Sequence, residues 1–184
     1  GAEIIDPETS DLLQDYADKF CEMRKAKGMT PDVAYETMKN TLYFGVMMVN
    51  EGIADGMVAG ACHATADVLR PSLQILKTAP GAKLVSGFFI MDVPNCELGA
   101  NGTFLFADCA LNQDPTSEEL AEIAYASANS FQALVGEEAK VALLSHSTMG
   151  SAKHAHVDKV NAAAKIAKEK YPEYAVHLYN LIPC

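Results

Sequence analysis

No apolar run in these 184 residues reaches the roughly 18 that a membrane-spanning helix needs, and the opening GAEIIDPETS has no basic segment followed by an apolar signal core. A soluble, cytoplasmic protein with no membrane partner is the expectation. Basic residues are scarce: 14 lysines and arginines stand against 24 aspartates and glutamates, for a net charge of -10. Nonspecific attraction to nucleic-acid phosphates draws on clustered lysine and arginine, so no nucleic-acid partner is expected, and any anionic ligand must be held by local positive groups. The five cysteines are an odd number, widely spaced, with no CxxC pair, and read as reduced thiols. Cys96 and Cys109 lie near loops or strand ends and invite comparison with nucleophiles, but buried or incidental thiols explain them more simply. The histidines show no HExxH or paired metal spacing, and His154 and His156, two apart, do not share a helix face, so no structural metal is expected.

What is present is a composition that is 49% hydrophobic, enough for a substantial core in one large domain or two small ones. From Ser10 to Lys27, Leu12, Leu13, Tyr16, Phe20 and Met23 recur near one helical face, and Gly28 ends the pattern. Thr30 before Pro31 marks the start of a second helix over Pro31 to Lys39, and Leu42 to Val49 reads as a third. After Pro71 a helical stretch uses Leu73, Ile75 and Leu76, and Pro80-Gly81 marks a turn and a domain crossing. Leu84 to Met91 and Thr103 to Phe106 read as two strands. Thr116, three residues before Glu119, forms a capping box opening a helix to about Ala133. Val141 to Leu144 suits a buried parallel strand, followed by a loop and a helix from about Ser151 to Lys170; Tyr174 to Cys184 reads as a short apolar tail. Alternating strands and helices predict an α/β fold, with a first α/β domain over 1–80 and a second over 81–184.

The stretch Asp55 to Pro71, DGMVAGACHATADVLRP, carries the chemistry most plainly. Met57, Val58 and Ala59 read as a strand that empties into small residues, with Gly56 and Gly60 giving backbone freedom on either side. Thr65 then offers a hydroxyl where amides at a helix start converge on an anion, and Arg70 adds a planar cationic fork. An ordinary strand, turn and helix with a solvated arginine accounts for the same residues. A second such loop, Ser145 to Ser151, follows an apolar strand and precedes a helix. Ser147 and Thr148 could bind an oxygen of an anion and Gly150 permits close backbone approach, while helix capping by Ser147 or Ser151 is the competing explanation. Lys153 and His154 suit surface solvation better.

Together with LYFGVMM at Leu42 to Met48, GFFIMDVPNCELGANGTFLFADCALNQDP at Gly87 to Pro115 and VALLSHSTMGSAKH at Val141 to His154, this stretch closely resembles the phosphate acetyltransferases (phosphotransacetylases) of the phosphate acetyl/butyryl transferase family. The resemblance runs from about Ile4 to about Val176. It implies acetyl transfer between acetyl phosphate and coenzyme A in a ternary complex, with coenzyme A as co-substrate and no permanently bound cofactor. It also implies a homodimer, and two three-layer α/β/α domains flanking a cleft, similar to the isocitrate/isopropylmalate dehydrogenase-like fold, the first domain incomplete. Arg24, in RKAKG, and Arg70, in LRP, match two arginines that the family uses around coenzyme A and its anionic partner; with Thr65, Ser147, Thr148 and Gly150 they form the implied binding set.

Two departures qualify what the resemblance implies. Ala64 stands where relatives often carry serine or threonine, leaving Thr65 as the hydroxyl donor. The family's serine-arginine pair followed by an aspartate, in a segment resembling NDLSRGxxxxD, does not occur in these 184 residues. No catalytic residue is therefore assigned, and Asp55, Asp67 and Asp108 are read as turn or strand-end residues. The chain is expected to be truncated or altered at both ends and to show little transfer alone. Alternatives are a phosphate butyryltransferase, an inactive phosphate-binding or dimerising fragment, and a metal-dependent decarboxylating dehydrogenase of similar fold, for which neither an acidic metal cluster nor a nucleotide signature is found.

Overall fold

A computed structural model describes residues 1–145 and 154–180, the last three by their backbone alone. The chain divides into two compact units, Gly1–Ala79 and Pro80–Cys184.

The first unit is helical. Helix α1, Leu13–Arg24, forms because Leu13, Tyr16, Ala17 and Phe20 make a single apolar stripe, and all four are buried. Met23, expected on that stripe, is instead exposed, since the last turn of α1 runs past the edge of the core. A 3-10 turn, Lys25–Lys27, follows and Gly28 stops it at φ 80°, a left-handed conformation that glycine adopts without steric cost. Helix α2, Pro31–Met38, is capped by Thr30, whose side chain accepts from the Val33 amide at 3.4 Å. Helix α3, Thr41–Asn50, is capped by Asn40 in the same way, from the amides of Leu42 and Tyr43. Tyr16 packs on Phe44 with ring centroids 5.0 Å apart, and Phe20 meets Tyr43 edge-on at 5.5 Å. Lys19 joins Asp15 on its own helix to Glu51 beyond α3, at 2.7 and 2.6 Å. Helix α4, Thr65–Ile75, continues through a buried Pro71, and Ser72 donates to the Val68 carbonyl at 3.0 Å.

The expected strand at Met57 to Ala59 is not formed: residues 55–60 are irregular and the first unit contains no strand. A strand exists only through ladder bonds to a neighbour, and every other segment of this unit is helix, turn or loop. Val58 is fully exposed, whereas Met57 packs against the helical core beside Gly45, whose missing side chain leaves room for the Met57 sulfur.

In the second unit β1, Phe88–Asp92, and β2, Thr103–Ala107, pair antiparallel, with Phe88 opposite Ala107 and Asp92 opposite Thr103. The first strand starts four residues later than Leu84, because the preceding backbone bonds to a loop rather than to a ladder: Asn112 donates to the Val85 carbonyl and the Cys109 amide to that of Gly87. Helix α5, Ser117–Val135, opens on the capping box of Thr116 and Glu119, as expected, and ends at Gly136 in a left-handed conformation. Strand β3, Lys140–Ser145, pairs in parallel with β4, Ala175–Asn180, and α6, Ala155–Lys170, connects them. The expected apolar tail is therefore partly a strand, held because Val176 buries against Ala121 and Ala167. Nor is β3 buried throughout: Val141 and Leu143 face that cluster while Leu144 is exposed, as one covered face of a pleated pair requires.

Candidate functional site

Helix α4 begins without a side-chain cap. Ala64 occupies the capping position and has no oxygen to offer, so the first amides of the helix have no side-chain acceptor. Thr65 is the first helical residue and carries its hydroxyl at that end. The loop before it turns at Gly60, φ 120°, and the His63 amide donates back to the Gly60 carbonyl at 3.2 Å. Loop and helix form an open depression of about 210 Å³ lined by Ala59, Gly60, His63, Thr65, Val68 and Leu69, none of them fully buried. The Asp67 amide donates to the Ala64 carbonyl at 2.9 Å; the Thr65 and Ala66 amides, the positive end of the helix dipole and the Thr65 hydroxyl are the groups at this end that attract a small anion.

Asp67 would oppose an anion from the first turn of α4. Its carboxylate lies 3.6 Å from Nη1 of Arg70, so part of its charge is offset. Both side chains are about half exposed, and such a pair contributes little to stability; its consequence is electrostatic and local. Arg70 is absent from the lining of the depression. Five residues along a helix rotate a side chain by about 140° from the starting face, which separates Arg70 from Thr65. Arg24 sits at the end of α1, half-buried, with Nε shielded from solvent and lacking a hydrogen-bond partner among the described residues. Of the three described members of the expected binding set, only Thr65 lines this depression. Ser147, Thr148 and Gly150 lie outside the described residues, as do Lys153 and the Ser151 cap.

The depression adds residues that the sequence reading passed over: Ala59, Gly60 as a wall, His63, Val68 and Leu69. Helical periodicity carried the signal for two of them, since Val68 and Leu69 fall three and four residues after Thr65 on its own face.

The three aspartates read as structural differ in how far they are occupied. Asp108 accepts from the amides of Ala110 and Leu111 at 2.8 and 2.9 Å and from the Asn112 side chain. Partial burial pushes its carboxyl up, but these hydrogen bonds outweigh it and hold the group below the usual carboxylate value. The residue closes a turn after β2. The Cys109 thiol donates to the Phe106 carbonyl at 2.9 Å. Among the described residues no group of three or more histidine, cysteine, aspartate or glutamate side chains is placed to hold a metal ion, and no helix is long and apolar enough to cross a membrane.

The family model described as phosphate acetyl/butaryl transferase matches residues 1–177. The chain belongs to this family. It is 61% identical over 175 residues to a phosphate acetyltransferase from Thermoanaerobacterium thermosaccharolyticum, a match that spans 95% of this chain and 53% of the relative. It is 43% identical over 176 residues to the phosphate acetyltransferase of Escherichia coli, covering 96% of this chain and 23% of that one. Among solved structures, the EutD phosphotransacetylase from Staphylococcus aureus superimposes with a TM-score of 0.82 at 42% identity, over 99% of this chain and 53% of that chain. A phosphotransacetylase from Streptococcus pyogenes gives 0.80 at 42% identity, over 93% and 50%. The chain thus spans about half the length of the first of these relatives and of both solved structures, and its fold is of their mixed α/β class.

Proposed function

We propose that this chain is part of an enzyme that transfers an acetyl group between acetyl phosphate and coenzyme A. The observation that carries the reading is the uncapped start of α4, where Thr65 and the first helical amides stand at an open depression of about 210 Å³ in a chain of the phosphate acetyltransferase family. In the reaction the coenzyme A sulfur attacks the acetyl carbonyl carbon, a C–S bond forms, the C–O bond to phosphorus breaks, and inorganic phosphate leaves. Thr65 and the amides of the α4 start hold the phosphoryl oxygens, which carry more charge as the bond breaks. Holding both substrates together supplies much of the rate. Arg24 and Arg70 are proposed to draw the anionic groups of coenzyme A and phosphate toward the site, and Ser147, Thr148 and Gly150 to contact the acyl phosphate.

The same reading makes coenzyme A a co-substrate rather than a resident cofactor, and places a homodimer in the cytoplasm without nucleic-acid or membrane partners. It also gives the longer polypeptide two α/β/α domains with dehydrogenase-like layering. Thiol deprotonation and oxyanion stabilisation are assigned to residues outside this chain. A phosphate butyryltransferase is the second reading, supported by the family description, which names both acyl groups.

The test is acetyl-coenzyme A formation from acetyl phosphate by a polypeptide of the relatives' length that contains this chain, beside the 184-residue chain alone. The longer protein should turn over within the common enzymatic range of roughly 1 to 1,000 per second, the short chain hardly at all, and Thr65→Ala should reduce kcat/KM about tenfold or more. An inactive longer protein, or a Thr65→Ala variant with unchanged kinetics, would contradict the reading.

A further inference from the structure

Helix α3 carries a glycine, Gly45, midway along its apolar run. Glycine in a helix interior costs stability relative to alanine, so its presence there calls for a packing reason. Residues 51–64, which join α3 to α4, supply one. Of their three large apolar side chains, Ile53 and Val58 are exposed, whereas Met57 is half-buried and packs on the helical core. Its side chain occupies the notch that Gly45 leaves. A methyl group placed on Gly45 would stand 2.9 Å from the Met57 Sδ, inside the roughly 3.5–4.0 Å at which non-bonded heavy atoms rest, and 3.8 Å from its Cγ. The backbone adds little to this hold. The Ile53 and Ala54 amides donate to the Met48 carbonyl at 3.0 and 3.3 Å and tie the first residues of the loop to α3. Among the described residues, no backbone hydrogen bond ties residues 55–62 to a helix; the Gly60 carbonyl accepts from the His63 amide within the loop. Where the loop meets α4, a methyl group on Gly60 would lie 3.9 Å from Cγ2 of Val68, an ordinary contact that interlocks nothing.

We propose that Met57 and the Gly45 notch form a catch, and that residues 55–62 are a strap which this one side chain holds against the helical core. With the sulfur seated, the strap is fixed between its ends at Ala54 and Thr65; with the sulfur withdrawn, nothing but those ends retains it. Methionine suits a catch that must release, because its unbranched side chain adapts to an irregular gap. Ala59 and Gly60, which line the depression at the start of α4, travel with the strap. The catch therefore sets how far that end of α4 is covered, whatever meets it.

Amide relaxation in the 184-residue chain, joined to a two-residue cycle, tests the catch. Met57→Ala should lower the backbone order parameters of residues 56–62 from the rigid range near 0.85 to below about 0.6, with those of α1 to α4 unchanged. Gly45→Ala should loosen the same residues although it leaves the strap's own sequence intact, because the new methyl group displaces the sulfur. The cycle then separates notch from helix. In the Met57→Ala background, Gly45→Ala should raise the folding equilibrium constant about fivefold, the ordinary gain of alanine over glycine in a helix, and in the unmodified background that gain should be absent. An equal gain in both backgrounds, or a strap that keeps its order in both single variants, would overturn the catch. Loss of order in the helices along with the strap would overturn it too, since Met57 would then be an ordinary member of the core.

Discussion

The two units bury different kinds of side chain. In Gly1–Ala79 the fully buried set includes Tyr16, Phe20, Met38 and Met47, large groups drawn from three helices. In Pro80–Cys184 the buried set is dominated by alanine: Ala121, Ala124, Ala128, Ala163, Ala164 and Ala167, where α5 and α6 meet. Among its described residues Ile123, Val157 and Val176 are also buried, but the large apolar residues of the antiparallel ribbon lie outside, with Phe88, Phe89, Ile90, Met91 and Phe106 all more than a third exposed. The first unit gains its stability from large side chains removed from water, whereas helix contacts through alanine bury little area per residue and rely on close approach of backbones. A candidate site held by the first unit therefore rests on the better-filled core.

Phe20→Ala should break this contrast most severely. Phe20 is wholly buried, so its truncation should cost about 3–5 kcal/mol in the first unit, read as a lowered denaturation midpoint for Tyr16-region signals. A loss below about 1 kcal/mol would mean that the core is loosely filled.

Asp108→Ala comes next and acts on the second unit through polar rather than apolar groups. It leaves the Ala110 and Leu111 amides and the Asn112 side chain without their charged acceptor, a loss of about 2 kcal/mol. Its folded carboxyl titrates below its unfolded value of about 3.9. The unfolded state therefore takes up the proton first as pH falls. The contribution of Asp108 is complete above the unfolded value and is lost as pH drops through the lower folded one. Stability of the unmodified chain minus that of the variant, followed from pH 6 downward, should shrink in that acid window and stay flat above it.

Those residues also show what could be read in advance. Thr116 and Glu119, and Thr30 with Pro31, announce helix starts through contacts three residues apart, and both appear where expected. The supposed strand at Met57 does not, because its state depends on a ladder partner that no nearby residue specifies; nor did the tail reveal β4, whose pairing with β3 spans 35 positions in sequence. Thr65 was legible as a hydroxyl at a helix start, which is where it lies. Val68 and Leu69 were on the page as periodic neighbours, but only the fold of Ala59 and Gly60 beside them makes a depression. The three-residue spacing of Asp67 and Arg70 sets the two side by side on a helix, and the five-residue offset from Thr65 turns Arg70 away from that depression, so its placement was legible once a helix start at Thr65 was assumed.

Thr116→Ala should cost about 1 kcal/mol, since it removes one half of a capping box in an exposed position. A loss confined to the α5 start in hydrogen exchange would distinguish a cap from a wider packing role. Smallest of all should be Phe89→Ser. With 60% of Phe89 exposed, the change should stay within about 0.5 kcal/mol. A cost several times larger would show that the ribbon is covered in solution, and would erase the difference between the units.

The account stands most directly on phosphate recognition at the start of α4. Titration of the 184-residue chain with inorganic phosphate, at constant ionic strength and followed by amide resonances, is the decisive measurement. The account predicts saturable shifts centred on Thr65 and Ala66, weakened in Thr65→Ala, with the second unit unmoved. Shifts that never saturate, or that appear equally at other helix starts, would contradict it.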